Sequence, residues 1–84
     1  MVTPEQARVL GYLRHHIVAP FDSIVAACLP GSPRDWAART LADLEWIGYV
    51  TVYSTREGEP ASVELTSIGM EYLQTADARV PALT

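Results

Sequence analysis

Ser32-Pro33-Arg34-Asp35-Trp36-Ala37-Ala38-Arg39-Thr40-Leu41-Ala42-Asp43-Leu44-Glu45-Trp46-Ile47-Gly48-Tyr49-Val50-Thr51-Val52-Tyr53 reads as a helix that hands over directly to a strand. Ser32 can accept a hydrogen bond from the first free amides of a helix, Pro33 suits the first helical position, and Gly48 can take the left-handed conformation that ends one. These signals predict a helix from Pro33 to about Ile47. Projected at about 100° per residue, Ala37, Thr40, Leu41, Leu44 and Ile47 fall on one side, with Asp35, Arg39, Ala42 and Trp46 opposite. The period then changes to two. Val50 and Val52 share one face and Tyr49, Thr51 and Tyr53 the other, as a half-buried strand requires.

Upstream, Thr3-Pro4-Glu5-Gln6 predicts a first helix, with Thr3 as cap, Pro4 at its start and Gln6 reaching back in a capping box. Its apolar side is Ala7, Leu10, Leu13, Ile17 and Val18, and its end is expected near Val18. Pro20 makes Ala19-Pro20-Phe21 an extended connection in which Phe21 anchors the core. Asp22 is the expected cap of a short helix from Ser23 to about Leu29, which Pro30-Gly31 ends. Two helices joined by a short glycine-containing turn follow the grammar of a helix-turn-helix. Downstream, the polar run Arg56 to Ala61 is a turn, and Ser62-Val63-Glu64-Leu65 is a second strand that forms a hairpin with the first. Thr66 can cap a last helix from Ser67 to about Thr75, turning Ile68, Tyr72 and Leu73 inward. Residues 77–84, with Pro81 and little periodicity, read as a flexible tail.

A chain of 84 residues suits one domain, and 49% apolar content places it among ordered globular proteins. The single cysteine, Cys28, leaves no internal disulfide, and no basic start leads into an apolar leader segment. A reducing, cytoplasmic location and no membrane association are expected. The formal net charge of -4 gives nucleic-acid binding no help from the global field, although a local basic patch can still act.

The order helix, helix, turn, helix, strand, polar tip, strand, helix resembles the winged helix-turn-helix superfamily, in its bacterial or phage transcription-regulator form. The resemblance runs from about Thr3 to Gln74 and is sharpest in two motifs. Leu41, Leu44, Glu45, Gly48, Tyr49 and Val50 match the end of a recognition helix and the strand after it; Leu65, Thr66 and Gly69 match the L-T-x-x-G that opens the helix after the wing. The implied fold is α+β: three helices, a two-stranded β-hairpin wing and a C-terminal helix, forming a winged-helix domain over residues 1–76.

The resemblance implies that residues 33–47 enter a DNA major groove and that the loop from Arg56 to Pro60 is the wing. The groove-facing set is then Arg34, Asp35, Trp36, Ala38, Arg39 and Ala42, with Arg56 at the wing. Arg39 can read guanine or hold a phosphate, and Arg34, at the helix start, can position the backbone. Opposing them, Asp35 and Asp43 repel phosphate, and Glu57 with Glu59 makes the wing net acidic. Trp46 falls opposite Leu44, so it is covered either by the wing strands or terminal segment or by a homodimer or protein partner. Trp36 lies on the flank of the core side and is expected to be partly buried against Phe21 or the first helix, with base contact as the alternative.

No catalytic, metal or cofactor constellation emerges, and no enzyme is expected. His15 and His16 point about 100° apart on a helix and do not share a metal face. Cys28 reads as an inert buried thiol, the carboxylates as solvated faces, and no Gly-rich phosphate loop is present. Two function classes follow. One is a small transcriptional regulator that binds double-stranded DNA, as a dimer, through helix 33–47. The other is an acidic protein–protein interaction module that uses the outer face of that helix and Trp46 without binding DNA.

Overall fold

The computed structural model describes residues 2–78 of the chain. Its elements in order are α1 (Pro4–His16), β1 (Val18–Pro20), α2 (Phe21–Cys28), α3 (Arg34–Ile47), β2 (Val50–Ser54), β3 (Pro60–Leu65) and α4 (Ser67–Ala78). This is the α+β winged arrangement expected from the sequence, with one strand more. β1 pairs antiparallel with β3, giving a sheet in the order β1-β3-β2.

α1 starts as its sequence dictates. The Gln6 N–H donates to Thr3 Oγ1 at 3.1 Å, and the Thr3 N–H donates to Gln6 Oε1 at 2.9 Å, so two otherwise unpaired amides are satisfied reciprocally. Its end differs from expectation. The helix stops at His16, and Ile17 takes a positive φ of 62° that swings the chain into β1. Ile17 and Val18 are therefore exposed, as is Ala7, and the buried face is Gln6, Val9, Leu10 and Leu13 instead. The turn is useful to the sheet, because the carbonyl of Ile17 accepts the Leu65 N–H at 2.7 Å.

Two expected caps are not used. α3 begins at Arg34 rather than Pro33, because Pro33 itself is extended at ψ 148° and forms the cap; Ser32 then stands one position too early to bond the first turn. α2 likewise begins at Phe21 after an extended Pro20, which places Asp22 inside the first turn rather than at the cap. Its carboxylate still lies favourably near the helix N-terminus.

The handover from α3 to β2 is as predicted. Gly48 sits at φ 100°, its N–H reaching the Glu45 carbonyl at 3.0 Å, and the Tyr49 N–H reaches the Leu44 carbonyl at 3.1 Å. This pairing is a Schellman motif, which a residue with a Cβ enters only with strain. A threonine then joins this end to α4. The Thr66 hydroxyl donates to the Gly48 carbonyl at 2.7 Å and accepts the Gly69 N–H at 3.0 Å, while the Thr66 N–H bonds Tyr49 O at 3.1 Å. Gly69 lies so close to Tyr49 that an added Cβ would overlap its carbonyl oxygen. The L-T-x-x-G motif is thus a hydrogen-bonded clamp with a close backbone approach.

That clamp sets the rotation of α4. Leu73 and Gly69 face inward and Tyr72 stacks on Tyr49 with ring centroids 4.7 Å apart, whereas Ile68, expected inside, is exposed. The helix runs on to Ala78; residues 79–84 of the expected tail lie outside the described residues. The core beneath is continuous: Leu10 and Leu13 of α1, Phe21 and Ile24 of α2, Leu41 and Leu44 of α3, and Val50, Val63 and Leu65 of the sheet. Among the described residues no helix is long and apolar enough to cross a membrane.

Candidate nucleic-acid interface

Burial of Ala37, Thr40, Leu41 and Leu44 fixes the rotation of α3, whereas Ile47, expected on the same side, is 43% exposed where the helix ends at Gly48. The one buried hydroxyl on that face, Thr40 Oγ1, is satisfied by the Trp36 carbonyl at 3.0 Å. Asp35, Arg39, Ala42 and Trp46 consequently stand outward in one stripe, all exposed, as the projection requires. Trp46 is 91% exposed. No part of the fold covers it among the described residues, so cover by the wing strands is ruled out. Trp36 is 55% exposed rather than packed against Phe21. Arg34 occupies that place instead, with its guanidinium carbon 4.9 Å from the Phe21 ring centroid.

The wing flanks the other side of the helix. Glu45 Oε2 accepts the N–H of Val52 at 3.0 Å, which ties the last turns of α3 to the outer edge of β2 and occupies an amide that would otherwise be open on an edge strand. Ala38, on this flank, is half-buried. The wing tip is an ordered turn: the Gly58 N–H reaches the Thr55 carbonyl at 3.0 Å, the Thr55 N–H reaches the Glu59 carbonyl at 2.8 Å, and Gly58 takes φ 85°. Arg56 and Glu57 project from that turn, both exposed. On the outer sheet face the Tyr53 hydroxyl donates to Glu64 Oε1 at 2.7 Å, and that carboxylate raises the Tyr53 pKa above the ordinary phenol value.

The arginines assigned from the sequence divide into two kinds. Arg39 and Arg56 make no ion pair among the described residues and present their charge to solvent. Arg34 is engaged: Nη1 lies 3.2 Å from Asp22 Oδ1 and Nε lies 3.5 Å from Glu59 Oε2. The Asp22 hydrogen bond, followed by the charge of both carboxylates, holds its pKa above the ordinary arginine value. The sequence carries no signal of this three-way contact, because its members come from α2, α3 and the base of the wing. Away from this face, Cys28 is buried; burial raises its pKa, and its thiol lies 3.6 Å from the Arg8 carbonyl. The guanidinium of Arg8 in turn donates to the Cys28 carbonyl at 3.0 Å, closing the end of α2. His16 lies against Tyr12, ring centroids 4.2 Å apart.

No protein-family model and no curated protein matches the chain. Solved structures do. Transcriptional regulator PA4135 superposes with a TM-score of 0.74 at 24% identity, over 90% of this chain and 55% of that one. The PcaV transcriptional regulator from Streptomyces coelicolor gives 0.77 at 19% identity, over 94% of this chain and 57% of that one. A MarR family transcriptional regulator from Silicibacter pomeroyi gives 0.75 at 17% identity, over 96% and 53%. The chain thus spans little more than half the length of each of these proteins. At such identities the likeness speaks for architecture and leaves activity open. With the order of its elements, the Schellman end of α3 and the Thr66 clamp, the chain has the winged helix-turn-helix fold.

Proposed function

We propose that this chain is the DNA-binding unit of a transcriptional regulator, with α3 as the helix that enters the major groove of double-stranded DNA and the β2–β3 turn as the wing. The observation that carries this is the outer stripe of α3. Arg39 stands there with no ion pair among the described residues, although Asp35 shares the stripe, and lies next to the methyl group of Ala42, which suits a thymine methyl. Arg56 at the wing tip is equally free to hold a phosphate. Trp36, on the flank, offers an indole to the sugar–phosphate edge, while the half-buried Ala38 contributes close approach rather than readout. A cytoplasmic location goes with this function.

The net charge of -4 sets a limit on general affinity. A dimer answers it by bringing two copies each of Arg39 and Arg56 to one operator and doubling the base pairs read. Anisotropy of a labelled mixed-sequence duplex, titrated as salt rises, tests the proposal. Binding should weaken with a log-log slope of about 0.9 per phosphate contact. Arg39→Ala should cost about 1–3 kcal/mol on a preferred sequence and relax its selectivity. Absence of binding at low salt, where attraction is strongest, refutes it.

One observation favours a second use of the same helix. Trp46, at 91% exposure, is the kind of aromatic anchor that interfaces bury. In that reading the C-terminal half of α3 carries the homodimer or partner contact, and Trp46→Ala lowers the sedimentation coefficient of the assembly while leaving the monomer folded.

A further inference from the structure

We infer that Asp22 and Glu59 act as an internal stand-in for DNA phosphate, holding Arg34 in a latch that DNA must open. The inference rests on the DNA-binding function proposed above. Arg34 is the first residue of α3, and its guanidinium meets one carboxylate from the first turn of α2 and one from the base of the wing. The seat is fixed from below by Phe21, a core ring only 1% exposed, which the guanidinium covers at 4.9 Å.

A phosphate is bound most strongly by two adjacent guanidinium N–H groups. Asp22 accepts from Nη1 at 3.2 Å, and Glu59 Oε2 stands 3.5 Å from Nε as an ion pair on the other edge. A bidentate phosphate on either edge of the guanidinium therefore competes with one of these carboxylates. The exchange is accessible because the side chains of Arg34, Asp22 and Glu59 keep 54%, 85% and 61% of their surface in water. Ion pairs so exposed hold weakly. Until it opens, one positive charge sits against two negative ones, and the start of α3 repels DNA. Glu59 also belongs to the wing turn, its N–H bonded to Thr55 Oγ1 at 3.2 Å, so the latch couples wing position to the Arg34 contact.

Duplex anisotropy at low salt tests the latch with five proteins: the natural chain; Asp22→Asn with Glu59→Gln; the charge-matched control Asp43→Asn with Glu57→Gln; Arg34→Ala alone; and the first pair in that Arg34→Ala background. Freeing Arg34 should tighten binding roughly two- to fivefold more than the control does, the range expected for one or two exposed ion pairs, and this surplus should vanish with Arg34→Ala. A gain equal to that of the control, or one that survives Arg34→Ala, overturns the latch while leaving DNA binding intact. If none of the five binds, the DNA-binding function itself fails and the latch with it. In the free protein, Arg34→Ala should speed amide exchange at Gly58 and Glu59; unchanged exchange there overturns the coupling to the wing.

Discussion

Replacing Gly69 with alanine drives a methyl group into the backbone of Tyr49. The new Cβ would overlap the Tyr49 carbonyl oxygen, stand 3.1 Å from its carbonyl carbon and lie 2.7 Å from Leu65 Cδ1. Neither neighbour can yield freely. The Tyr49 carbonyl is held by the Thr66 N–H at 3.1 Å, and Leu65 is only 6% exposed. α4 must therefore move outward, which strains the Thr66 clamp. Overpacking of this kind costs about 1–3 kcal/mol, and each hydrogen bond weakened in the clamp adds up to about 1. The gain in helix propensity from glycine to alanine returns about 1 kcal/mol. With two hydrogen bonds of the clamp weakened, the net expectation is a loss of about 1–4 kcal/mol, read in urea unfolding as a lower midpoint at unchanged m-value. For a domain of this size it corresponds to a Tm lower by at least about 4 °C. Gly11→Ala is the control, since nothing lies within 4 Å of its added Cβ; it should stabilise by up to about 1 kcal/mol. A Gly69→Ala midpoint at or above that of the natural chain refutes the close-approach account of the motif.

Thr66→Val keeps the shape of the side chain but removes the donor to Gly48 and the acceptor for Gly69, so unfolding free energy should fall by about 1–3 kcal/mol in the same assay. Cys28 should react with a thiol reagent only as fast as the chain opens, at a rate that rises with urea; fast labelling of the folded protein contradicts its burial. Its raised pKa also fixes a sign. As pH rises the unfolded thiol ionises first, so stability is full below the ordinary thiol pKa and falls as pH climbs towards the folded value, a decline that Cys28→Ala should lack at that site.

The parts of this fold legible in the sequence are those set by neighbours along the chain. The Thr3–Gln6 capping box, the glycine stop at Gly48 and the Thr66 cap each rest on residues within one helical turn, and each forms. β1 escaped because three residues ending in a proline carry almost no periodicity, and its partner strand is remote: Val18 pairs with Glu64 and Ala19 with Val63. The caps expected at Ser32 and Asp22 failed for a local reason, since an extended proline next to each took the capping position. Ile68 went outward because the clamp at Thr66 and Gly69, rather than the apolar count, sets the rotation of α4. At the candidate interface, the outward stripe of α3 followed from periodicity. The engagement of Arg34 did not, because charge pairing across three elements depends on the packed fold.

Both tryptophans of the chain, Trp36 and Trp46, lie on the exposed side of α3. Tryptophan fluorescence, excited beyond the absorption of the four tyrosines, therefore reports on the proposed groove helix alone, and the decisive measurement is acrylamide quenching of the protein with and without duplex DNA at low salt. If α3 enters the groove, DNA should shield the indoles and shift their emission, and rising salt should reverse both changes along with binding. Duplex that binds while quenching stays unchanged would place DNA elsewhere on the molecule and contradict the assignment of α3.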